Sequence, residues 1–204
     1  MEPKTDLPLR QASKLETRNA LLQAALELFI EKGFEETRAS EIAQKAGVAV
    51  GTIYLHFGDK EGLLSAILMN LADTIYVRVK DVYEKHPSAE PEDLARMHIE
   101  QIVQYAEENQ KLAPFVLGYA LSRHPVGVKI IDFIVSQVEE SIRQGQASGI
   151  YRTDILPPLA ARAEAYMNLG LISWWIEHQD MMTREDIVDT LVKFRLSGLH
   201  AAPG

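Results

Sequence analysis

The segment Gly47-Val48-Ala49-Val50-Gly51-Thr52-Ile53-Tyr54-Leu55-His56-Phe57 limits what this chain can fold into more than any other stretch. Two glycines with three small residues between them form a tight turn, and the short run after them sets aliphatics against Thr, Tyr and His. That is the pattern of a helix-turn-helix, in which one short helix positions a second whose outer face is polar. The run just before it has Ala39, Ile42, Ala43 and Ala46 at helical spacing and supplies the positioning helix. Nucleic-acid binding is therefore the first expectation to hold against the other residues.

Charge qualifies that expectation. The chain of 204 residues carries a net charge of −8, which argues against unspecific attraction to nucleic acid over its whole surface. By region, residues 1–60 hold 8 Lys/Arg against 9 Asp/Glu, and residues 61–204 hold 13 against 20. The acidity thus lies mainly in the second part. The absence of cysteine excludes disulfides, thiol nucleophiles and Cys-based metal sites. The N-terminus has no signal-peptide core, and no stretch approaches the ~18 apolar residues of a membrane span. A soluble, cytoplasmic protein with no membrane partner is expected.

Taken in order, residues 1–12 read as a flexible arm, in which Lys4, Arg10 and Lys14 either touch phosphate or a minor groove or are simply solvated. An amphipathic helix follows from Ser13 to Lys32 with Gly33 as its stop. Thr37 is placed to N-cap the positioning helix, and Asp59 to N-cap a long helix reaching about Lys85. Helices are then expected over 92–108, from about 111 to the Arg123-His124-Pro125 break, over 126–144, 157–179 and 184–197, the last opened by Thr183 and Asp186 as a capping pair and stopped by Gly198. Every element is helical.

In the second part, polar and aromatic residues in otherwise apolar helices mark a candidate small-molecule pocket: His98, Gln101, Tyr105, Tyr119, Phe133, Tyr166 and Asn168. Each of these also suits an ordinary packed or surface position. The helix 157–179 keeps much of its surface small and ends in Trp174-Trp175, more apolar area than one neighbour covers. It and the helix 184–197 are expected to form a four-helix interface across a two-fold axis, through Ala163, Met167, Gly170, Leu171, Trp174, Trp175, Leu191 and Phe194. The histidines are dispersed, with no metal-ligand spacing, and no cofactor is implied. No catalytic motif occurs, and paired carboxylates such as Glu139-Glu140 diverge on a helix.

The pattern Ala25-x-x-Leu28-Phe29-x-x-x-Gly33-Phe34-x-x-Thr37-x-x-x-x-Ile42-Ala43-x-x-Ala46-Gly47-Val48-x-x-Gly51-Thr52-Ile53-Tyr54-x-x-Phe57-x-x-Lys60-x-x-Leu63 resembles the DNA-binding domain of TetR-family transcriptional regulators. The likeness covers about residues 14–64; beyond that it is architectural only. It implies a homodimer on a palindromic double-stranded operator, usually a repressor released by a small effector. By this resemblance Thr37, Thr52, Tyr54, His56 and Lys60 contact DNA and Gly51 permits a close backbone approach. Val50 and Leu55 complete the candidate surface, with Thr52 and Leu55 facing base edges. Two residues depart from the family pattern: Ala49 stands where a Ser cap is common, and Val50 where a polar or basic residue is. An uncapped start predicts a recognition helix that firms up on DNA.

The expectation is an all-α chain with a three-helix helix-turn-helix domain over residues 13–58 and a helical effector-binding and dimerisation domain over 59–204. The alternative is a helical small-molecule-binding protein or enzyme that only retains the helix-turn-helix.

Overall fold

A computed structural model of the chain describes residues 6–199, with side chains from residue 11. Among the described residues the regular structure is nine helices and no strand: α1 (Asp6–Lys32), α2 (Ala39–Lys45), α3 (Gly51–Phe57), α4 (Lys60–Lys85), α5 (Pro91–Glu108), α6 (Ala113–Ala120), α7 (Pro125–Ala147), α8 (Pro157–Ile176) and α9 (Arg184–Leu199). The chain divides into two compact units, one up to Asn70 and one from Leu71, so the first turns of α4 belong with the N-terminal unit.

Helix α1 starts at Asp6 rather than Ser13, because Pro8 falls in its first turn, where a missing N–H costs nothing. Residues 1–5 of the expected arm lie outside the described residues, as do the side chains of Lys4 and Arg10. At the other end, α9 runs through Gly198 to Leu199, and α8 stops at Ile176, short of Gln179. Helix α4 corrects one compositional expectation: an 18-residue window reaches a mean hydropathy of 1.3, apolar and long enough to cross a membrane. Its Leu63, Leu64, Ile67, Leu68, Ala72 and Val82 are nevertheless buried against protein.

In the N-terminal unit, Leu21, Ala25 and Phe29 of α1 are buried, as are Ile42 of α2, Ile53 of α3 and Leu64 of α4. Phe29 meets Phe34 edge to face at 5.2 Å. The turn after α2 is a complete Schellman motif. Gly47 N–H donates to Gln44 O at 3.2 Å and Val48 N–H to Ala43 O at 3.0 Å, with Gly47 at φ 70°. Only glycine takes that backbone shape without strain.

In the C-terminal unit α7 packs on α8 and α5 on α9. One core gathers Ile99, Val103, Leu117, Ile172, Trp175 and Leu191; another gathers Ile131, Val135, Ile142, Tyr151 and Ala165. Arg96 of α5 bonds Glu185 at 3.0 Å and also Asp189, both on α9, and its hydrogen bond, helped by its charge, lowers the Asp189 carboxyl from its ordinary value. Thr183 and Asp186 form the expected capping pair: Thr183 N–H donates to Asp186 Oδ2 at 2.8 Å and Asp186 N–H to Thr183 Oγ1 at 3.2 Å.

Candidate nucleic-acid interface

Helix α3 turns Ile53 inward and Gly51, Tyr54 and Leu55 out. Ile53 is fully buried, whereas Tyr54 is 55% and Leu55 79% exposed. Val50 and Gly51 are exposed, and Thr52 and His56 are half-buried. The start of α3 has no side-chain cap, as Ala49 and Val50 foretold. The helix is formed all the same, with Thr52 N–H donating to Ala49 O at 2.9 Å. A Cβ added at Gly51 meets nothing within 4 Å and φ there is not positive, so nothing among the described residues calls for glycine at this position.

Asp59 caps α4 as expected, its Oδ1 accepting from Gly62 N–H at 2.6 Å. Gly62 was not singled out in the sequence. A Cβ there lands 2.0 Å from the Phe57 carbonyl oxygen, so the last residue of α3 rests directly on the first turn of α4.

Two candidate contacts take other roles. Thr37 is buried, not a cap: its hydroxyl donates to Gly33 O at 2.7 Å. Arg38 occupies the N-cap of α2, and its N–H donates to Glu41 Oε2 at 2.8 Å. The Thr37 side chain therefore faces the core and cannot meet phosphate. Lys60 turns its ammonium onto backbone carbonyls of the α1–α2 turn, donating to Phe34 O at 2.7 Å and Thr37 O at 3.0 Å. Lys32 and Lys45 are likewise engaged, with Glu41 at 2.6 Å and Glu27 at 2.9 Å.

The seven candidate pocket residues differ in burial and in neighbours. Tyr166 is exposed on α8. Phe133 meets Tyr76 at 6.3 Å, Tyr119 lies between Phe115 and His124, and Tyr105 lies under the Arg78 guanidinium at 4.8 Å. Gln101 is half-buried. Only His98 and Asn168 are buried. Their surroundings are polar in a way the sequence did not disclose. Arg195 of α9 pairs with Glu164 of α8 inside the unit and donates to Tyr151 Oη at 3.0 Å. Burial opposes the Arg195 charge, but Glu164, with Tyr151 and Tyr83, raises its pKa above the ordinary value. Among the described residues Glu164 Oε2, Asn168 Oδ1 and Arg195 Nε have no hydrogen-bond partner.

Tyr83 lies 2.9 Å from His98 Nδ1. Burial pushes the Tyr83 phenol up to about 12, so it keeps its proton, and which partner donates in this bond follows from the His98 tautomer. Burial, with the Arg195 charge, holds the His98 pKa well below 6.5. The folded state keeps this imidazole neutral while the unfolded chain protonates it below pH about 6.5, so stability falls as pH drops through that range. Urea titrations should show about 1 kcal/mol lost between pH 7 and 5.5, and His98→Gln should remove that loss.

The eight candidate interface residues also separate. Trp175 and Leu191 are buried in the unit's own core, and the Trp175 indole donates to Met182 O at 3.0 Å. Met167, Gly170 and Leu171 are half-buried. Trp174 is 40% and Phe194 58% exposed, and Ala163 is exposed. An open groove of about 480 Å³ runs between α8 and α9, walled by Leu159, Ala163, Met167 and Phe194. None of the seven pocket candidates lines it.

Residues 21–67 match the model of the bacterial regulatory proteins, tetR family. These residues are a TetR-family DNA-binding domain. It is 31% identical over 109 residues to the HTH-type transcriptional repressor KstR2 of Mycobacterium tuberculosis, covering 47% of this chain and 52% of that protein. The match therefore spans about half the length of that relative. In fold it is similar to FadR of Bacillus subtilis, solved in complex with stearoyl-CoA, at TM-score 0.70 and 19% identity over 89% of this chain and 98% of the other. It is similar as well to NalD of Pseudomonas aeruginosa, the secondary repressor of the MexAB-OprM efflux pump, at TM-score 0.67 and 21% identity over 94% and 100%. These likenesses extend the shared fold through the helical C-terminal unit.

Proposed function

We propose that this chain is a ligand-responsive, DNA-binding transcriptional regulator, a homodimeric repressor that a small molecule releases from a palindromic operator. The observation that carries the proposal is the outer face of α3. Tyr54 and Leu55 stand exposed over a buried Ile53, behind a glycine that the protein's own packing does not need. In this reading Tyr54 and His56 donate to phosphates, and Thr52, Leu55 and Val50 meet base edges, Leu55 and Val50 through apolar contact of the kind a thymine methyl offers. Gly51→Ala separates the two demands on that position. The fold should be unharmed or slightly more stable, since alanine suits a helix better by up to ~1 kcal/mol, while operator affinity in anisotropy titrations should fall at least about tenfold. Equal affinity for both proteins would remove the close backbone approach.

The exposed apolar face of α8 and α9 supports dimerisation, with Leu159, Trp174 and Phe194 as its large side chains. The effector reading rests on the buried polar groups around Arg195 and His98, together with the regulator likenesses, one of them to a protein solved with a small molecule bound. A signal from the C-terminal unit reaches DNA through α4, which is continuous between the two units. Such a protein works in the cytoplasm, where the DNA is. Gel shift with DNA flanking its own gene tests the proposal. A specific shift at moderate salt is expected; its absence would favour a helical small-molecule-binding protein or enzyme that only retains the helix-turn-helix.

A further inference from the structure

The geometry points to Lys60 as a positioning residue that locks the recognition helix in place, not as a phosphate contact. Its ammonium has three N–H donors, and three carbonyls receive them: Phe34 O at 2.7 Å, Thr37 O at 3.0 Å and Glu35 O at 3.4 Å. The same ammonium lies 4.2 Å from the centre of the Phe34 ring, a further attraction for a cation. All three carbonyls belong to the turn between α1 and α2. That turn is closed from its other side by the Thr37 hydroxyl on Gly33 O. Turning the ammonium out to a phosphate would take its N–H groups from all three carbonyls, of which Phe34 O would keep the Thr37 N–H at 3.2 Å.

The consequence falls on α3. Lys60 follows the end of α3 by only Gly58 and Asp59, so its grip on the α1–α2 turn fixes where α3 ends relative to where α2 begins. A second cation acts nearby: Arg18 of α1 stacks on Phe57, the last residue of α3, at 4.6 Å. The start of α3 has no side-chain cap. The helix is thus held from its C-terminal end, and the clasp supplies the order that a capping Ser would otherwise give.

Lys60→Met keeps an unbranched side chain at this position and removes the donors. With the full chain and DNA flanking its gene, affinity should fall about tenfold or more at every salt concentration while the slope of log K against log salt stays that of the wild type. A slope shallower by about 0.9, the signature of one lost phosphate contact, would overturn the inference. Without DNA, amide hydrogen exchange over residues 37–42 and 51–57 should speed up about tenfold in Lys60→Met, and unchanged exchange would count against the clasp. If the variant does not fold, the wild type still decides: the Lys60 ammonium signal in side-chain nitrogen spectra should be protected from water exchange before DNA is added. Rapid exchange of that signal would contradict the clasp. The affinity arm rests on the regulator reading; a wild type with no specific binding would defeat that reading and leave the exchange measurements to judge Lys60.

Discussion

Replacing Gly62 with alanine is expected to disrupt the N-terminal unit and cost operator binding at least about tenfold. The added methyl lands 2.0 Å from the Phe57 carbonyl oxygen, a distance no real contact reaches, and the atom it meets is backbone, which cannot swing aside as a side chain does. Either α3 or the first turn of α4 must shift. Overpacking of this kind costs about 1–3 kcal/mol and sometimes more. The shift also displaces the end of the helix that carries Tyr54 and His56. Calorimetry on Gly62→Ala should show a lowered transition for this unit, with the C-terminal unit's transition retained. A variant as stable as the wild type, binding DNA equally well, would show that the close approach of α3 to α4 is not needed.

The second large effect concerns assembly. Phe194→Glu and Leu159→Glu each place a charge on the exposed apolar face of α8 and α9, where the wild-type side chains are 58% and 65% exposed. Each variant should fold, since neither residue belongs to the protomer's core, and each should sediment as a monomer. Operator affinity should then fall by about 100-fold or more, because two linked half-site contacts become two independent ones. Dimers persisting in both variants would place the interface elsewhere. Trp175→Glu is not a useful probe, because Trp175 is 1% exposed and its loss would undo the fold rather than the assembly.

Much of the fold was legible because it follows local rules. Gly33 ends α1 and Gly47 closes the turn of the helix-turn-helix, both with positive φ; Asp59 caps α4, and Thr183 with Asp186 caps α9. What the sequence hid depends on pairs far apart in the chain. On α9 the ordinary order of hydropathy is reversed, with Phe194 exposed and Arg195 2% exposed. Arg195 stays inside because Glu164, 31 residues away, meets its charge. Nothing near either residue announces that pairing. Trp174 and Trp175 look alike in sequence, and only packing against α5, α6 and α9 decides which is buried. Thr37 and Lys60 bear the right residue types for phosphate contacts, yet the carbonyls of the α1–α2 turn claim both.

The most direct test of the central claim is a hydroxyl-radical footprint of the full chain on DNA flanking its gene, run beside the double variant Tyr54→Ala, Leu55→Ala. Both residues are exposed, so the variant should remain folded. The wild type should protect two symmetric patches centred about 34–36 Å apart along the DNA, or a multiple of that spacing, and the variant should protect neither. Absence of protection by the wild type at moderate salt, or an equal footprint from the variant, would contradict the assignment of the α3 face to DNA.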